Sequence, residues 1–115
     1  MTVRRMKTYT GSTGYVYQYY FVGKRPALDD FATEYIFDVS SDRKSLFAVS
    51  VYIHTAALTD WATAHGRPLT DPEQYAAAKL RLMQAFDEIE NMLADGLKLP
   101  VDTPTLESLL STLDL

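Results

Sequence analysis

The chemistry open to this 115-residue chain rests on two histidines, eight tyrosines and a few clustered charges. His54 stands where an apolar, strand-like run gives way to a helical pattern, and His65 stands near the end of that helix. A protonated imidazole is favoured at a helix C-terminus, and His65 falls four residues after Trp61, on the same helical face. Packing and helix termination account for both histidines. A metal or acid–base site needs several groups that converge. Asp29, Asp30 and His54 meet that need only if the segment carrying the aspartates folds back over the strand end, which spacing alone does not fix.

A second set suits nucleic acid. Arg4, Arg5, Lys7, Lys24 and Arg25 flank Tyr15, Tyr17 and Tyr19, and single strands bind where stacking surfaces lie beside positive charge. Two features weigh against it. The net charge is −4, and the element order, β-β-β-β-α-α, is not the β-α-β-β-α-β of the RNA-recognition fold. A third set suits self-association: Leu106, Leu109, Leu110 and Leu113 form the sticky side of a short C-terminal helix. Such a helix is too short to be stable alone in water.

Motifs with a mechanism of their own are missing. The chain has no phosphate-cradling glycine loop, no zincin helix and no nucleophile elbow. Without cysteine there is neither a disulfide framework nor a thiolate metal site. No catalytic residue, cofactor or metal is expected, and enzyme is the minority reading. The N-terminus lacks the apolar stretch of a secretory signal, and no run approaches the roughly 18 apolar residues of a membrane span. The expectation is a cytoplasmic protein with no membrane contact.

The elements that must position these groups come from hydrophobic periodicity. Thr33–Ser40 and Ser45–Ile53 alternate with period two and read as a hairpin turning at Ser41-Asp42-Arg43, with Phe37 facing Phe47. Tyr15, Tyr17, Tyr19 and Phe21 line one face of a preceding strand that should end at Gly23. Residues 23–32 then read as a loop pinned by Leu28 and Phe31. A weaker strand is possible over 2–10, before the Gly11–Gly14 turn.

The second half is helical. One helix follows Thr55 and closes at Gly66. A second starts at the Thr70–Glu73 capping box and should run to about Asp95, with Phe86 inward and Leu80 outward. The chain then crosses Pro100 in extended form, and Thr103 is positioned to cap the last helix.

These patterns predict one α+β domain over 1–100: an antiparallel meander of three to four strands, covered on one face by two helices. Residues 101–115 read as a tail with a short amphipathic helix. The charge is lopsided, with seven Lys/Arg against five Asp/Glu in residues 1–54 and four against ten thereafter. Aromatics on both faces of the tyrosine strand, the leucine tail and this asymmetry together predict a homodimer, with another protein partner as an open option. The expected function is a small non-enzymatic protein-interaction or ligand-binding module that self-associates. The alternative is a single-stranded nucleic-acid binder.

Overall fold

The computed structural model describes residues 6–115. Five strands lie side by side in chain order: β1 (Lys7–Thr10), β2 (Val16–Ala27), β3 (Ala32–Ser40), β4 (Phe47–His54) and β5 (Lys98–Val101). The first four are antiparallel, and β5 runs parallel to β4. Between β4 and β5 come α1 (Thr55–His65), α2 (Asp71–Glu88) and the single turn α3 (Met92–Asp95); α4 (Thr103–Ser111) follows β5. The fold is therefore α+β, but its sheet is mixed and five-stranded, which corrects the expected antiparallel meander of three to four.

The fifth strand explains the difference. Leu99 and Val101 are buried while Lys98 and Pro100 are exposed, so Lys98–Val101 alternates like a half-buried strand. Proline is tolerated on an edge strand, where β5 lies. Parallel neighbours need a long crossover, and the helical stretch from Thr55 to Asp95 supplies it.

The central hairpin keeps its predicted faces but not its predicted register. Phe37 pairs with Val49, Tyr35 with Val51 and Val39 with Phe47, two residues from the expected alignment. A shift of two leaves every side chain on its own face, whereas a shift of one would invert them all. The connection is longer than a three-residue turn. The Asp42 carboxylate accepts from the Lys44 and Ser45 amides at 2.8 and 2.9 Å, and Arg43 takes a positive φ of 64°.

β2 also outruns its prediction. It does not end at Gly23 but continues through a bulge between Phe21 and Gly23 as far as Ala27. The expected ten-residue loop shrinks to a 3-10 turn at Leu28–Asp30, followed by Phe31 at φ 48°. Leu28 and Phe31 do not pin it; they are 81% and 79% exposed. The extra residue of a bulge shifts the pleat by one. Lys24 accordingly lies beside Tyr35 on the helix side, and Arg25 lies beside Glu34 on the other.

The helices cover one face. α1 is capped at its end by Gly66 (φ 73°), whose amide donates to the Ala62 carbonyl. The Thr70–Glu73 capping box forms as expected. α2 stops at Glu88 rather than Asp95, because Ile89 is extended and the Asn91 side chain accepts from the Ala94 amide to start α3. Phe86 stacks on Tyr17 with centroids 4.3 Å apart and also approaches Tyr9 and Tyr19.

The β1–β2 turn closes over the same helix end. A Cβ on Gly11 would lie 2.9 Å from the Phe86 carbonyl oxygen, so only glycine fits there. Asp87 accepts hydrogen bonds from the Tyr9 hydroxyl and the Ser12 amide. The dipole disfavours a carboxylate in the last turn of a helix, and these two donors offset that cost.

The expected tail is α4, and its leucines enter the same core. Leu106, Leu109 and Leu110 are buried with the sheet residues. Asp102, not Thr103, caps it by accepting from the Thr105 amide, while Thr103 donates to Asp60 on α1 at 2.7 Å. Leu80 is half-buried against the core rather than outward. Among the described residues no helix is long and apolar enough to cross a membrane.

Truncating Phe86 to alanine should cost about 3–5 kcal/mol in urea unfolding, because it empties the tyrosine-lined contact. Leu113→Ala should cost less than about 1 kcal/mol, since Leu113 is exposed. Equal losses would contradict this packing.

Candidate functional site

The face of the sheet away from the helices carries a polar network. Glu34 lies at its centre with only 6% of its surface exposed. Period two sends Tyr35 and Phe37 into the core and leaves Glu34, Ile36 and Asp38 on the outer face. The Glu34 carboxylate accepts from Arg25 Nε at 2.8 Å, Ser50 Oγ at 2.6 Å and the Tyr52 hydroxyl at 3.3 Å. The Arg25 guanidinium holds this carboxyl below the usual glutamate range; the Ser50 and Tyr52 hydroxyls add to that, and burial opposes it. A second outer-face bond joins the Tyr20 hydroxyl to Asp38 at 2.7 Å.

A cleft of about 220 Å³ opens beside this network, lined by Asp30, Tyr52, His54, Lys98 and Pro100. Three elements build it. The parallel register sets Lys98 beside Ser50 and Pro100 beside Tyr52. Antiparallel pairing sets Tyr52 beside Glu34 and His54 beside Ala32. The 3-10 turn brings in Asp30, held to the start of α1 by a 2.8 Å bond from the Thr55 amide to the Phe31 carbonyl. Of Asp29, Asp30 and His54, whose convergence is open in the sequence, Asp30 and His54 line this one cleft and Asp29 does not. Among the described residues no three His, Asp or Glu side chains are grouped to hold a metal ion.

The tyrosine and basic residues do not come together. Tyr17 and Tyr19 are buried beneath α2, because their side of β2 is the side the helix covers. Lys24 lies 3.5 Å from Asp71, while Arg25 faces Glu34 across the opposite side of the sheet. Lys7 is exposed on the edge strand, and Arg4 and Arg5 lie outside the described residues. Tyr15 is exposed at the far end, beside a separate cleft with Glu90 and Asp95. Of the four tail leucines, only Leu113 remains exposed.

His65 serves structure. It stacks on Trp61 at 4.1 Å, and its Nε2 lies 3.0 Å from Glu107, tying α1 to α4. The hairpin alternation puts Glu34 and Ser50 on its polar face without marking them as a site, and Lys98 escapes sequence reasoning because Lys98–Val101 reads as a connector. The alternation of Lys98–Val101 was the available signal.

Comparison with protein-family models, with curated proteins and with solved structures finds no match.

Glu34 has a pH signature. Its folded pKa is lowered, so its stabilisation is complete above the unfolded value of about 4.3 and is lost as pH falls through the lower folded value. Glu34→Gln should cost about 1–3 kcal/mol at neutral pH. The loss relative to wild type should shrink as the pH is taken below 4. A loss that stays constant down to acid unfolding, followed by chemical denaturation at each pH, would show that the carboxylate charge is not what holds the network.

Proposed function

We propose that this protein is a small non-enzymatic binding module whose working surface is the outer sheet face around the Asp30–His54–Lys98 cleft. One observation carries the reading. Glu34, beside the cleft, is tied by three donors, whereas the side chains of Asp30, His54 and Lys98, which line it, make no hydrogen bond or salt bridge among the described residues. A few polar side chains without hydrogen-bond partners, set against an apolar wall and a fixed neighbouring network, are what a ligand site needs.

The partner reading that fits best is a second copy of the chain. Leu28 and Phe31 project from the corner beside the cleft, and Asp29 and Asp30 lie between them. Exposed large apolar side chains on a short, backbone-tied turn serve as contact anchors. Asp30 shares the cleft with Lys98, so the corner carries charges of both signs that a two-fold contact can pair. Strand addition is the poorer route. β1 and β5 are four residues long and β5 carries Pro100, and short or proline-bearing edges discourage pairing.

Light scattering after size exclusion at micromolar concentration should give about twice the 13.0 kDa chain mass. Leu28→Ser with Phe31→Ser should return it to the monomer without loss of folding stability, because both side chains are exposed. A wild-type mass near 13.0 kDa would overturn self-association.

A further inference from the structure

The charges around the cleft define what it accepts. Lys98 brings an ammonium from β5, and His54 brings an imidazole N–H from the end of β4. Asp30 brings a carboxylate from the 3-10 turn. Asp102 adds negative charge nearby; bonds from Thr105 hold its carboxyl below the usual range, with a smaller contribution from His54. The Tyr52 ring and Pro100 supply apolar wall.

A dianion such as phosphate would gain Lys98 but meet the repulsion of Asp30 and Asp102. A bare amine would gain Asp30 and meet Lys98. A ligand with one carboxylate, one ammonium and a short apolar stem satisfies both sides and covers the ring. The space, about 220 Å³, corresponds to roughly seven waters at ~30 Å³ each, room for a free amino acid of modest size.

We propose that the cleft binds a small zwitterion of the amino-acid class, its carboxylate on Lys98 and His54 and its ammonium on Asp30. This rests on the reading of the cleft as a binding site. Both charged contacts are made at once, so the whole ligand binds more tightly than either half.

The test is a titration of the full chain by amide chemical-shift mapping, with L-valine, acetate, methylammonium and inorganic phosphate as separate probes. Valine should shift the Tyr52, His54 and Leu99 amides and saturate. Acetate and methylammonium should each bind at least about tenfold more weakly, the loss expected for one charge-assisted contact. Asp30→Asn should remove valine's advantage over acetate, and Lys98→Gln its advantage over methylammonium; both side chains are exposed, so neither change should disturb the fold. Valine binding no tighter than acetate, or phosphate binding tightest, would overturn the zwitterion assignment and leave a binding cleft of another class. No shift with any probe would overturn the zwitterion and the binding reading together.

Discussion

The period-two alternation of β3 and β4 sorts the whole molecule. Tyr35, Phe37 and Val39 on one strand, and Val49, Val51 and Ile53 on the other, all turn to the same side and lose essentially all contact with water. Taking that much apolar surface out of water is worth many kcal/mol at about 25 cal/mol per Å², and it requires a cover. α1, α2 and α4 supply it through Trp61, Leu82, Phe86, Leu106 and Leu110. Once that side is committed to the core, the intervening residues must face outward. Glu34, Asp38, Ser50 and Tyr52 therefore form the outer surface as a consequence of core packing, and their hydroxyl and carboxylate groups satisfy one another.

β5 turns this polar surface into a site. Without it, β4 would be an edge and the outer face would end at Tyr52. The parallel strand adds Lys98 and Pro100 beside Ser50 and Tyr52 and closes one side of the cleft. The bulge in β2 contributes from the opposite side of Glu34. By shifting the pleat it delivers Arg25 to that carboxylate, and it leaves Lys24 on the helix side with Asp71. Continuation of β2 to Ala27 also shortens the following loop to a 3-10 turn, which is why Asp30 lies near the strand end instead of on a long excursion.

What was legible in the sequence follows from how local each signal is. The hairpin faces were readable because alternation is local, and the capping box at Thr70–Glu73 and the stop at Gly66 were readable because each is a short signature. The register slipped by two because Asp42 folds a longer turn around its own carboxylate, a feature that hydrophobic pattern does not weigh. The expected helix overruns the end of α2 because the apolar spacing continues through Ile89 and Leu93, whereas Asn91 caps a new turn. The strand over Lys98–Val101 was missed because four residues with a proline carry little periodicity, and the pairing that stabilises them is with a strand far away in sequence. The site was therefore legible only in part. Asp29, Asp30 and His54 stand out as a set that converges if the chain folds back, and two of the three line the cleft, while Lys98 and Tyr52 depend on a neighbour that local pattern does not reveal.

The docking of β5 beside β4 is the claim on which the cleft stands, and nuclear magnetic resonance reads it directly. The Ser50 amide donates to the Leu97 carbonyl at 2.9 Å, and Val51 lies beside Leu99 in the parallel register. The account predicts slow hydrogen exchange at the Ser50 amide and interstrand Overhauser contacts between residues 50–53 and 98–101. Fast exchange at Ser50 with no such contacts would mean that Lys98–Val101 is not a strand of the sheet, and the cleft would have no second wall.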